Sequence, residues 1–148
     1  MPTRTARTAW DGGFKDGSGQ VELTSSQLGT FEMSFPKRSS SDGGGATNPE
    51  ELLGAAHSAC YTMQLTALLE EVGATPISIE TSADVTLDED PAGGFRITRI
   101  ALTVRGEVDG IDDAGFAEQA EAAKESCPLS KALDGVDEIT LDAALETA

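Results

Sequence analysis

The residues of this 148-residue chain whose types could do chemistry together are Cys60, Cys127, His57, Arg38 and Glu50. Cys127 stands just before Pro128, at the expected start of a helix, where free backbone N–H groups and the helix dipole favour a thiolate. Lys124 and Lys131 lie near it in sequence. Cys60 falls in the middle of an apolar stretch, where the dipole contributes little. Burial alone would raise its pKa and leave it a small, inert core residue. To act as a nucleophile it needs a cation or a base. An unperturbed thiol of pKa about 8.5 is only a few per cent thiolate at neutral pH, and lowering that pKa to about 6 gains about thirtyfold. His57, one helical turn earlier, could be a base. Arg38 could be a fixed positive charge if a carboxylate held it, and Glu50 is the candidate holder. The plain alternatives are a packing histidine and an ordinary acid in the first turn of a helix.

The element that must position these groups is Thr47–Val72. Thr47 or Asn48 can cap it, Pro49 fits the first helical position, Glu50 and Glu51 face the positive end of the dipole, and Gly73 can take φ > 0 after its last turn. Leu52, Ala56, Ala59, Met63 and Ala67 mark one apolar stripe, and Leu53, Cys60, Gln64 and Leu68 mark the next. A helix apolar on nearly all sides is expected to be buried on nearly all sides. Ahead of it, strands are expected over Arg4–Trp10, Val21–Thr24 and Thr30–Phe35, with Pro36 ending the third and a flexible Ser39–Gly45 loop after Lys37 and Arg38. Beyond it, Ile77–Leu87 alternates strictly. Asp88–Gly94 reads as a hairpin turn and Phe95–Val108 as the return strand. The apolar phase of that strand slips near Arg99, which places a bulge or a change of buried face there. A helix capped by Asp112 or Asp113 is expected over Ala114–Glu125, with Phe116, Ala120 and Ala123 facing inward. A short helix over Pro128–Leu133 and a last strand at Ile139–Leu141 complete an α+β chain with mostly antiparallel pairing, expected to be one domain over residues 1–148.

Composition excludes several partners. With 10 Lys+Arg against 26 Asp+Glu the formal charge is -16, unfavourable for nucleic acid or an anionic membrane surface. The first residues contain no apolar run, so no secretory leader is expected. The Glu pairs, His57 and Gln64 make the central stretch a core helix rather than a membrane span. A cytoplasmic protein is expected, where two cysteines are reduced thiols or a working redox pair rather than a static staple. Gly17-Ser18-Gly19 and Gly43-Gly44-Gly45 lack the residues that would make them phosphate-binding loops. Two cysteines and one histidine are too few for a structural zinc site, and no cofactor is expected.

Two longer motifs carry more. Thr47-Asn48-Pro49-Glu50-Glu51-Leu52-Leu53-Gly54-Ala55-Ala56-His57-Ser58-Ala59-Cys60 and Cys127-Pro128-Leu129-Ser130-Lys131-Ala132-Leu133 resemble the two cysteine motifs of the OsmC/Ohr family, the osmotically inducible and organic hydroperoxide resistance proteins. Trp10, Ala83–Leu87 and Ile139–Asp142 extend the resemblance over nearly the whole chain. Gly54–His57 resembles the OsmC branch more than the Ohr branch. The resemblance implies an intertwined α+β homodimer, with antiparallel sheets around long central helices that pack together. It also implies a thiol-dependent peroxidase that reduces organic hydroperoxides to alcohols. Cys60 would be the peroxidatic cysteine and Cys127 the resolving one. The two would close a disulfide that an external dithiol, of lipoyl type, reopens. Arg38 would hold the thiolate and Glu50 would orient the arginine. Lys37 stands as the neighbouring alternative, because the Ser39–Gly45 loop is longer here than in the family pattern. Met63, Phe35 and Leu129 would favour alkyl over hydrogen peroxide. The competing readings are a redox sensor and a binding protein for hydrophobic small molecules. A cysteine hydrolase built on His57 and Cys60 fits poorly, since nothing orients the base and Cys127 has no role.

Overall fold

A computed structural model describes residues 1–147, which form two compact units, Met1–Leu52 and the remainder from Leu53. No helix among the described residues is long and apolar enough to cross a membrane.

The first unit is an antiparallel meander of β1 (Arg7–Asp11), β2 (Ser18–Glu22) and β3 (Thr30–Met33). Its strands differ from expectation at their ends. The second strand starts at Ser18 rather than Val21, because Gly19 lets β1 come close. A Cβ at Gly19 would sit 2.5 Å from the Ala9 carbonyl and 2.8 Å from the Trp10 ring. The Arg7–Glu22 pair, bonded at 2.8 Å, joins residues directly opposite in the register. The third strand stops at Met33, two residues short. Ser34 turns into an N-cap, its hydroxyl accepting from the Lys37 N–H, and opens the short helix α1 (Phe35–Arg38). Pro36 therefore helps to start a helix rather than merely ending a strand. Phe35 leaves the strand face and meets Phe14 with ring centroids 4.1 Å apart. After Ser39 come three glycines at positive φ, Gly43 to Gly45, ahead of the central helix.

That helix, α2, runs Pro49–Glu71. Asn48 is the cap: its Oδ1 accepts the Glu51 N–H at 2.8 Å. At the far end Gly73 sits at φ +83°, its N–H bonds to Glu70 O and the Ala74 N–H reaches back to Leu69 O. This is a Schellman closure, and it requires the glycine.

All-round burial does not hold within the chain. The buried residues of α2 are Gly54, His57, Tyr61, Leu65 and Leu69. Ala56, Ala59, Met63 and Ala67, at about 100° per residue on the opposite side, are exposed, Met63 at 68 %. Leu53, Cys60, Gln64 and Leu68 form half-buried flanks. Apart from Gly54 the covered face carries large side chains, and apart from Met63 the open face carries alanines.

In the second unit α2 lies against β4 (Thr75–Glu89), β5 (Phe95–Asp109) and β6 (Glu138–Glu146), in the order β4-β5-β6. Thr62 Oγ1 bonds Thr81 Oγ1 at 2.7 Å across that contact. The bulge expected near Arg99 is present: Thr86 pairs with Arg99 and Leu87 with Ile97, leaving Thr98 extra. This shift turns Ile100, Leu102, Val104 and Val108 into the core. The β4–β5 pairing is antiparallel, whereas β6 runs parallel to β5, Ile139 opposite Ile100. A parallel neighbour needs a crossover, which α3 (Asp113–Ser126) and α4 (Pro128–Ala132) supply. Asp112 caps α3, and Phe116, Ala120 and Ala123 face inward as expected. The last strand is longer than expected, because Ala143, Ala144 and Leu145 continue the pairing along β5.

Candidate active site

Each expected site residue is held by an identifiable element. Arg38 ends α1, and Glu50 lies in the first turn of α2. The guanidinium meets the carboxylate through two parallel bonds: Nε donates to Glu50 Oε2 at 3.0 Å and Nη2 to Oε1 at 2.5 Å. This fork geometry fixes the plane of the arginine as well as its charge. The Glu50 hydrogen bonds raise the Arg38 pKa against a smaller opposing effect of burial, so the group is a permanent cation. Lys37, one residue earlier, points to a different acid, Glu32, at 3.7 Å. Beside Arg38 the first unit carries an apolar cleft of about 240 Å³ lined by Trp10, Phe14, Met33, Phe35 and Pro49.

In the second unit the two thiols come together. Cys60 projects from the half-buried flank of α2, Cys127 is fully buried at the junction of α3 and α4, and both are free. Burial pushes the Cys60 thiol up, and the neighbouring Cys127 adds to this. The backbone N–H of Leu129 works the other way, because it stabilises the thiolate. The short helix that begins with Pro128 thus presents its first turn to the Cys60 sulfur. Its contribution does not outweigh the desolvation.

His57 is completely buried, with Nε2 2.8 Å from Ser130 Oγ. Burial lowers its pKa and keeps the ring neutral. It is thus a buried packing residue, with a hydrogen-bond partner that the sequence reading did not find. Ser130 and the Leu129 N–H were both missed. Their only trace in the sequence is that Ser130 follows Cys127 by three positions as His57 precedes Cys60 by three. Among the described residues no group of three His, Cys, Asp or Glu side chains is arranged to hold a metal ion.

A helix-borne thiol facing a second thiol and a helix N-terminus is a recurring redox arrangement, and the comparisons with known proteins narrow it. A family model described as "OsmC-like protein" matches residues 41–142, which include both cysteines and Glu50. The chain belongs to the OsmC-like protein family. Peroxiredoxin OsmC of Escherichia coli (strain K12) is 46 % identical over 138 residues, covering 93 % of each chain. Organic hydroperoxide resistance protein OhrA of Bacillus subtilis (strain 168) is 35 % identical over 102 residues, 67 % of this chain and 68 % of that one. Among solved structures, the organic hydroperoxide resistance protein OhrB of Bacillus subtilis superposes with a TM-score of 0.71 at 28 % identity, over 96 % of this chain and 98 % of that one. The OsmC-like α+β fold is thereby established. Arg38 lies just ahead of the family-model span, in the α1 turn that opens after Ser34.

Proposed function

We propose that this OsmC-like protein is a thiol-dependent peroxidase that reduces organic hydroperoxides to alcohols. The observation that carries the reading is the contact of its two cysteines, one on α2 and one at the start of α4, in a chain 46 % identical to a peroxiredoxin.

In this reading the Cys60 thiolate attacks the outer oxygen of the hydroperoxide. The S–O bond forms, the O–O bond breaks, and the alkoxide takes up a proton and leaves as alcohol. Cys60 becomes a sulfenic acid. Cys127 then displaces the hydroxyl, and water leaves as the disulfide closes. An external dithiol, lipoyl-type in the family pattern, reopens the bridge by two exchange steps. Its supply fits the cytoplasmic setting expected from the sequence.

Arg38 is assigned to hold the Cys60 thiolate and to polarise the peroxide, with Glu50 setting its orientation. Support for choosing Arg38 over Lys37 is its bidentate grip on Glu50, a residue inside the family motif. The need for a cation is supported by the raised Cys60 pKa that the surrounding chain produces. The apolar cleft beside Arg38 suits an alkyl group rather than hydrogen peroxide.

The active form in this reading is a homodimer. Its support is the exposed small-residue face of α2, which a second copy of the helix would cover.

The test is consumption of cumene hydroperoxide by purified protein with dihydrolipoamide, beside Cys60→Ser and Arg38→Ala. Turnover by the wild type, none by Cys60→Ser and a loss of about a hundredfold or more in Arg38→Ala are expected. Normal turnover by Arg38→Ala would move the role to Lys37. One oxidation followed by a stall would favour a redox sensor.

A further inference from the structure

The buried His57–Ser130 contact plays no part in the steps above. His57 Nε2 stands 2.8 Å from Ser130 Oγ, while Nδ1 meets no partner among the described residues. A neutral imidazole has one proton to place. A buried N–H without an acceptor is rarer and costlier than an acceptor without a donor. The proton is therefore assigned to Nε2, which donates to the Ser130 hydroxyl, and the unmet atom is a lone pair.

Position gives the contact its meaning. His57 is one turn before Cys60 on α2, and Ser130 is one turn after Cys127 on α4. The two cysteine-bearing segments are thus joined at the sulfurs and again at this hydrogen bond. The helix α4 is five residues long and its N-cap makes no side-chain hydrogen bond. So short a helix has little stability of its own and takes its place from tertiary contacts. His57–Ser130 is a buried side-chain hydrogen bond that ties it to α2, one turn away from the contacts at Cys60. The same turn carries the Leu129 N–H that faces Cys60.

We propose that His57 and Ser130 form a positioning clasp that holds the Cys127–Leu129 turn against Cys60 and so sets the rate of disulfide closure, not of the attack on peroxide. The proposal rests on the peroxidase reading for its chemistry. In closure the S–S bond forms, the S–O bond of the Cys60 sulfenic acid breaks, and hydroxide leaves as water with the Cys127 thiol proton. Both sulfurs must meet within a narrow range of Cα separations, about 4.4–6.8 Å. A loosened α4 would leave Cys127 out of range for much of the time while Cys60 stays on its own helix.

The experiment uses the full chain with Ser130→Ala, His57→Leu and His57→Gln, the last keeping an N–H donor. Reduced protein is mixed with one equivalent of cumene hydroperoxide. Peroxide loss, dimedone-trapped Cys60 sulfenic acid and disulfide are followed over time. Peroxide loss is expected to change far less than closure, because the Leu129 N–H and Cys127 act on the Cys60 thiol in opposite directions and would be released together. Closure should slow about ten- to a hundredfold in Ser130→Ala and His57→Leu, with sulfenic acid accumulating, and should recover in His57→Gln. A second measurement needs no peroxide: the effective concentration of the Cys60–Cys127 pair in glutathione buffers should fall by the same factor in Ser130→Ala. Unchanged closure and unchanged effective concentration would overturn the clasp. So would peroxide loss and closure falling together without recovery in His57→Gln, which marks a general packing defect. Failure of the wild type to form any sulfenic acid would sink the peroxidase reading instead, leaving the glutathione measurement to decide the clasp.

Discussion

Cys60 lies under opposed influences. Burial and the neighbouring thiol hold it protonated, and the Leu129 N–H favours the thiolate but loses to them. In the proposed mechanism the further positive charge is Arg38, whose plane is fixed by its Glu50 fork. His57 shows the same effect of burial on a base. Burial makes its charged form unfavourable, so the folded chain binds a proton there at lower pH than the unfolded chain, whose value is near 6.5. The unfolded state binds more protons in that window. The stability due to neutral His57 is present above about pH 6.5 and is lost as pH falls from there toward the lower folded value. Urea midpoints of wild type and His57→Gln should accordingly differ more at about pH 7.5 than at about pH 5.5. A gap that stays constant would mean that His57 does not titrate differently on folding. At this scale the sequence disclosed the two cysteines and the Arg38–Glu50 pair but not the partner of His57. Ser130 is 73 positions from His57, and no local pattern links them.

Individual elements show how packing overrides propensity. Gly54 in the second turn of α2 would ordinarily be improved by alanine, by about 1 kcal/mol. Here a Cβ would stand 2.9 Å from the Ala83 carbonyl of β4, a backbone atom that cannot step aside. Overpacking of this kind costs about 1–3 kcal/mol, which exceeds the propensity gain. Gly54→Ala should lower the urea midpoint, and a rise would show that helix and sheet separate freely there. The caps at Asn48 and Asp112, the glycine closure at Gly73 and the inner face of α3 were legible in advance, because each depends on residues within one or two turns. The end of β3 was not. Phe31, Met33 and Phe35 alternate like a strand, and the Ser34 cap competes locally and wins. The length of β6 was hidden for another reason: Ala143 and Ala144 have weak strand preference and are extended because β5 offers them a ladder.

For the whole molecule the open face of α2 matters most. Ala56, Ala59, Met63 and Ala67 leave an exposed apolar strip about three turns of helix long. A glutamate at position 63 would place a charge in the middle of it. If the active form is the proposed homodimer, Met63→Glu should convert it into single chains in sedimentation velocity, and peroxidase turnover should fall with it. A wild type that sediments as one chain would remove the dimer from the reading.

The sequence by itself determined the α+β class, the central helix with its ends, the irregularity of the return strand near Arg99 and the two cysteine motifs. Caps, glycine closures and apolar alternation are local, and the family likeness is written in contiguous residues. Only the tertiary structure decided which side of α2 is covered, that β6 lies parallel to β5, that the expected Arg38–Glu50 pair is a two-bond fork and that His57 meets Ser130. Apolarity marks a face as fit for burial without naming what buries it, and a contact between distant segments exists only once the crossover has brought them together.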